Sequence, residues 1–320
     1  MVRPMTRNLI VLALAAGAVA CGSGSSGAAD AGQSQCLGTG APGTVAVFAA
    51  GIGASEGIAF LGGRLFVSGG PGIREIKKDG TAQSILKLTP TIGMVAWKDA
   101  LYVASSSDGT SPSTFCDAGN HGVIYKVTPD GQSSIFARGF ISPNFLTVTP
   151  WGTLLVADDC VANKKIYEVD ATGKQTIWLD GVTSANGMVF NAANDALFVA
   201  TTFSDPDTNP LPLYKIPVGA SGKPGDATKF YNFPSKSTPD GVAMDSAGNI
   251  YAALNVTGKI HKVTPDGTDT VFADDNMLSP ASLAFGAGPD FDPCSMYVTS
   301  LIGDDLYRVA VGTTGVPLLK

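Results

Sequence analysis

An apolar strand motif recurs six times along this chain, and the repeat constrains the fold more than any other feature. The copies are Gly57-Ile58-Ala59-Phe60, Gly93-Met94-Val95-Ala96-Trp97, Phe145-Leu146-Thr147-Val148, Gly187-Met188-Val189-Phe190, Gly241-Val242-Ala243-Met244 and Ser282-Leu283-Ala284-Phe285, about 40 to 55 residues apart. A turn and a second apolar run follow each copy, as in Leu65-Phe66-Val67 and Leu154-Leu155-Val156. A third run alternates apolar with polar residues, as in Ile73-Arg74-Glu75-Ile76 and Ile260-His261-Lys262-Val263. That period of two predicts one buried and one wet face, so His261 is expected at the surface. Asp79-Gly80, Asp130-Gly131 and Asp266-Gly267 supply positive-φ turns into a closing strand. Four short antiparallel strands repeated six times predict an all-β chain, a six-bladed β-propeller over residues 41–320. Val45-Ala46-Val47-Phe48 lies ahead of the first repeat and is expected to complete the last blade, although residues 316–319 could claim the same place.

The start of the chain has a different character. Arg3 and Arg7 precede an apolar run at 9–20, shorter than the ~20 residues a spanning helix needs, so residues 1–20 read as a signal segment. Ala18-Val19-Ala20-Cys21-Gly22 resembles the bacterial lipobox, which implies cleavage before Cys21, acylation of its thiol, and a Gly/Ser-rich tether over 21–40. An ordinary secretory cut near Ala20 is the alternative. Either way the protein is expected to be exported, and with the lipid it would be anchored at the periplasmic or cell-surface side of a bacterial membrane. Cys36, Cys116, Cys160 and Cys294 then remain, an even number suited to two disulfides in an oxidising compartment. Three pairings exist, and the blade layout favours Cys116 with Cys160 and Cys36 with Cys294. Without Arg3 and Arg7 the chain keeps 19 basic against 27 acidic side chains, and no basic stripe, so nucleic acid is not an expected partner.

In a propeller the first strand of each blade lines the axis, so the residue just before it faces a common channel. Through the repeats that position reads Glu56, Ile92, Asn144, Asn186, Asp240 and Ala281. Taken singly, Asn186-Gly187 and Asp240-Gly241 are ordinary turn pairs. Taken in register, the oxygen-bearing side chains form a hard donor set that suits Ca2+ better than Zn2+, with coordination left for water and substrate.

The motifs Ser55-Glu56-Gly57, Ser142-Pro143-Asn144, Ala185-Asn186-Gly187-Met188 and Thr238-Pro239-Asp240-Gly241, followed by Asp245-Ser246-Ala247-Gly248-Asn249-Ile250-Tyr251, resemble one propeller family. It is the gluconolactonase, senescence-marker-protein and luciferin-regenerating-enzyme family, similar to diisopropylfluorophosphatase, the lactonases and the paraoxonases. The resemblance runs over about residues 45–310. It implies a catalytic divalent ion, usually Ca2+ and in some members Zn2+, and hydrolysis of lactones or related esters and phosphoesters. By position Glu56, Asn144, Asn186 and Asp240 would hold the ion, with Asp240 also acting as general base or nucleophile. The paraoxonase branch has a His where this chain has Ile92, which argues against a His-based mechanism of that kind.

Long loops at 105–120 and 202–212 are expected to form the pocket rim, and His121, directly after the first of them, could reach the channel mouth and move protons. Asp158 and Asp159 read as a solvated acidic loop, with a second acidic site at the channel mouth as the alternative; Trp97 and Trp151 read as packing residues, and Asn255-Val256-Thr257, which matches a glycosylation sequon, as a turn. The expected function is a monomeric lactonase-type or esterase-type hydrolase of small molecules; the alternative is a tethered binding propeller whose axial metal is structural.

Overall fold

Among the described residues, segments rich in Val, Ile, Leu, Phe and Tyr form 24 strands, which sort into six four-stranded antiparallel sheets. The coordinates are a computed structural model that describes residues 36–109, 116, 119–207 and 209–319. The expected signal segment, Cys21 and most of the tether lie outside the described residues.

Each sheet is one blade of a propeller, and the first strands are Ile58–Leu61, Met94–Trp97, Pro143–Val148, Ala185–Phe190, Pro239–Met244 and Pro280–Phe285. Each first strand packs against that of the next blade, and blade six returns to blade one. The ring is sealed by Val45–Ala49, which pairs with Leu306–Ala310 as the outer strand of blade six, with Val45 opposite Val309 and Val47 opposite Tyr307. Residues 316–319 do not compete for that edge. Val316 N donates to Met244 O at 3.0 Å, and Leu319 packs against the clusters on either side of blade three.

The core lies between blades. Trp97, Tyr102, Phe140, Val148 and Val156 form one buried cluster across blades two and three. Burying such a side chain contributes roughly 1.5–3 kcal/mol. Trp151 joins the next cluster, and its indole N–H donates to Glu168 Oε1 at 2.6 Å.

Blade-on-blade stacking corrects the expected wet face of the third strands. His261 is buried, with Nδ1 2.8 Å from Asp269 Oδ2. Arg74 and Glu75 are buried as well. Arg74 donates to Ile52 O, Gly53 O and Ala54 O beneath the segment leading to Glu56. Glu75 takes both Arg64 and Lys77, and the Arg64 hydrogen bond in particular holds its carboxyl down at about 2. Two faces are covered wherever one blade lies on another, so alternation marks polarity there without marking exposure.

Cys36 is bonded to Cys294 and Cys116 to Cys160, the pairing that the blade layout favoured. Beside the first bridge, Leu37 N and Thr39 Oγ1 donate to Asp292 at 3.0 and 2.6 Å, so the described chain is fixed to blade six from its first residues.

Candidate metal centre

The first strands of blades three to six carry the same irregularity. Register shifts between Pro143 and Leu146, Ala185 and Met188, Pro239 and Val242, and Pro280 and Leu283 leave the intervening residues out of the ladder. A bulge re-aims the side chain it contains, and these bulges contain Asn144, Asn186, Asp240 and Ala281. Asn186-Gly187 and Asp240-Gly241 therefore lie inside strands and are not turns. Their glycines are needed for close approach. A Cβ on Gly187 would fall 2.2 Å from Asp240 O, and one on Gly241 2.7 Å from Ser282 Cα. Two residues ahead of Asn186 and Asp240, Ser184 and Thr238 sit in the left-handed region, each at φ 48°, strain of a kind that collects at functional sites.

Polar residues in or just after the second strands of blades one, four, five and six stitch those blades to the next. Ser68 Oγ donates to Ile92 O at 2.5 Å, Thr202 Oγ1 to Pro239 O at 2.9 Å, Asn255 Nδ2 to Pro280 O at 2.6 Å and Thr299 Oγ1 to Glu56 O at 2.6 Å. These bonds hold the starts of the first strands, and so the axial side chains, in fixed register.

The axial side chains interleave carboxylates with amides. Asn144 lies between Glu56 and Asp159, and its Nδ2 is 3.4 Å from Asp159 Oδ2. Asn186 Nδ2 is 3.3 Å from the same oxygen and 2.9 Å from Thr202 Oγ1. Asn255 Nδ2 then reaches Asp240 Oδ2 at 3.0 Å. Ser184 Oγ donates to Asp159 Oδ1. The sequence-predicted set Glu56, Asn144, Asn186 and Asp240 thus meets in one place, with Ile92 and Ala281 completing the ring of axial positions.

Negative charge is concentrated there. Burial, then the charges of Asp240 and Asp159, raise Glu56 well above the usual carboxylate range, against a hydrogen bond from Asn144. Burial pushes Asp159 up to about 8, with the Asp240 and Asp158 charges adding to it and the Ser184 hydrogen bond opposing. Burial likewise lifts Asp240 to about 6, against the hydrogen bond from Asn255. Two buried oxygens of the cluster, Asn186 Oδ1 and Asp240 Oδ1, have no hydrogen-bond partner, and such groups are costly unless something binds them. Among the described residues no group of three or more His, Cys, Asp or Glu forms a metal-binding set. A donor set here therefore needs the asparagine amides, and its all-oxygen chemistry fits Ca2+.

Asp158 and Asp159 are not a solvated loop: they are 0% and 2% exposed. Asp158 accepts from Ile141 N and Ser142 N and holds the approach to Asn144, whereas Asp159 is part of the cluster itself. Asn255, expected only in a turn, anchors Asp240. A signal for both existed in the repeat, because second strands end on the face where first strands begin. His121 is half-exposed and is not among the groups acting on Glu56, Asp159 or Asp240. The 202–212 loop helps enclose a cavity of about 430 Å³ with Thr201, Phe203 and Tyr214, and Phe203 N donates to Ser184 Oγ at the cluster's edge. A larger cavity of about 580 Å³ opens at the far ends of the first strands, lined by Phe60, Val148, Phe190 and Leu319.

Comparison with known proteins places this arrangement. The profile described as "SMP-30/Gluconolactonase/LRE-like region" matches residues 70–302. Pentonolactonase XacC of Haloferax volcanii is 28% identical over 227 residues, which cover 63% of this chain and 74% of that protein. A gluconolactonase from Xanthomonas campestris superposes with a TM-score of 0.65 at 18% identity, covering 83% and 89% of the two chains. The calcium-binding protein regucalcin from Agrobacterium tumefaciens superposes with a TM-score of 0.63 at 16% identity, covering 83% and 92%. The structural likenesses share the fold, and the sequence match supplies the kinship: the chain belongs to the SMP-30/gluconolactonase/LRE-like family.

Proposed function

We propose that the protein is a divalent-metal-dependent hydrolase of lactones or related esters, with Glu56, Asn144, Asn186 and Asp240 holding one Ca2+, or Zn2+ or another divalent ion, at the propeller axis. The observation that carries this reading is a pair of buried, unpartnered oxygens inside a cluster of carboxylates: Asn186 Oδ1, an open donor for the ion, and Asp240 Oδ1, an open acceptor for a proton. When bound, the ion would supply Lewis-acid polarisation of the substrate carbonyl.

The chain's own residues account for the proton. Asn255 engages Asp240 Oδ2 and leaves Oδ1 free. Oδ1 takes a proton from water as the water oxygen bonds to the carbonyl carbon. The ester C–O bond then breaks, and the proton passes to the leaving alkoxide. The loop at 202–212, joined to the cluster through Phe203 N and Ser184, supplies part of the pocket wall.

Purified protein assayed on aliphatic and sugar lactones with and without chelator, beside Asp240→Asn, tests the proposal. Chelator-sensitive turnover that Asp240→Asn lowers by at least ~10²-fold supports it. Bound calcium without turnover supports the tethered binding propeller instead. We further propose export as a monomer anchored through lipid on Cys21, which the Cys36–Cys294 and Cys116–Cys160 bridges support because disulfides persist in oxidising compartments. Cys21→Ser should release the protein from the membrane fraction; retention there would count against the anchor.

A further inference from the structure

In blades four and five the residue just past the second strand, Thr202 and Asn255, is a hydroxyl or an amide that donates to a backbone carbonyl of the next blade. Blade three departs from that pattern. At the equivalent place it puts a carboxylate, Asp159, which is 2% exposed and accepts instead of donating. Its Oδ2 takes N–H groups from Asn144 of its own blade and Asn186 of the next, and its Oδ1 takes the Ser184 hydroxyl. The peptide around it is fixed as well, since Asp159 N donates to Ser142 O at 2.8 Å and Cys160 is tied to Cys116.

We infer that Asp159 is a positioning residue for the axial ion: it grips the NH2 ends of Asn144 and Asn186, so that their carbonyl oxygens are the ends left to a cation, and it raises the charge of the site from two carboxylates to three. Both of its own oxygens are engaged, unlike Asp240 Oδ1, so it acts through the amides and through its charge. Asp159 shares the Asn186 NH2 group with Thr202 Oγ1, 2.9 Å away, and Asn186 Oδ1, on a residue 1% exposed, is left unpartnered. Amide groups rotate readily, and without an acceptor on the nitrogen side an asparagine presents either end. The third charge has a separate effect, since Coulomb attraction scales with the charge of the ion and a triply anionic site gains more from a trivalent than from a divalent cation.

This inference rests on the metal reading proposed above, and its test separates the two. Calcium is titrated calorimetrically, and terbium(III) by luminescence, into wild-type protein, Asp159→Asn and Ser184→Ala. Asp159→Asn should weaken calcium binding ~10–100-fold, the usual effect of losing an outer-shell partner, and terbium binding by a larger factor. Ser184→Ala, which frees one oxygen and keeps the charge, should weaken both ions equally and by less, and it keeps the question answerable if Asp159→Asn does not fold. Wild-type affinity for calcium in Asp159→Asn overturns the inference, as does an equal factor for both ions, which is what a general loosening of the blade would give. Wild-type protein that binds neither ion overturns the metal reading itself.

Discussion

Asn255 shows how one side chain sets the chemistry of another. Its amide donates both to Asp240 Oδ2 and to Pro280 O, so it ties the proposed base to the backbone of blade six. A hydrogen bond to a carboxylate favours the charged form, and losing it raises the carboxyl's affinity for protons. Asn255→Ala should therefore move the acid limb of the kcat/KM profile to higher pH. Because a hydrogen bond to a charged group contributes about 1.5–3 kcal/mol, the loss at pH 6 should be tenfold or more and should shrink toward pH 9; a uniform loss across pH would show that Asn255 only packs. The four proposed ligands were legible in the sequence because they share one repeat position, just ahead of each first strand. Asp159 was legible only as one of an acidic pair that could sit at the channel mouth, and Asn255 only as a turn, because the residues after second strands read as loop until the blades are placed around an axis. His121 illustrates the converse: a residue attractive by type alone, which the fold leaves half-exposed.

At the level of the strand, the bulge is the device that makes the site. A regular first strand would alternate its side chains between the two blade faces, whereas the unpaired residues of blades three to six project Asn144, Asn186 and Asp240 toward the axis. The cost of bringing the bulges together is crowding, which glycine relieves. Gly187→Ala would place a Cβ 2.2 Å from Asp240 O and 2.7 Å from Val242 N, both backbone atoms that cannot rotate away. Thermal and urea unfolding should show a loss of roughly 1–3 kcal/mol, the usual range for overpacking, together with weaker calcium binding. Gly219→Ala, whose Cβ would meet only Lys223 O at 3.7 Å, is the control and should be close to neutral. Equal stability of the two variants would mean that the blades shift freely at the axis. The strands themselves were readable from apolar runs and Asp-Gly turns, with Gly80, Gly131 and Gly267 at φ 82°, 90° and 83° as expected. Burial of Arg74, Glu75 and His261 was not, since it depends on what the next blade brings against that face.

For the whole molecule the ring geometry has an electrostatic consequence. Closure through Val45–Ala49 brings Glu56 of blade one, Asp159 of blade three and Asp240 of blade five, distant in sequence, close enough to repel one another. All three have raised proton affinity in the folded, metal-free protein. Between the unfolded carboxylate range near pH 4 and the folded values of about 6 for Asp240 and about 8 for Asp159, the native state holds more protons than the unfolded chain. Stability of the metal-free protein should then fall as pH rises through that window. Carboxylates held low, such as Glu75 at about 2, act only below it, where they lose their contribution as pH drops. A bound cation supplies the missing positive charge and competes with the protons, so its stabilising effect should grow with pH. The rise in Tm on adding saturating calcium to chelator-treated protein should be small at pH 5.5 and several degrees larger at pH 8, read by scanning fluorimetry or calorimetry. Asp240→Asn and Glu56→Gln should each flatten the metal-free slope, because each removes one repelling charge. A calcium-induced shift that is the same at both pH values would mean that the ion does not share its site with these protons, and would move it away from the axis.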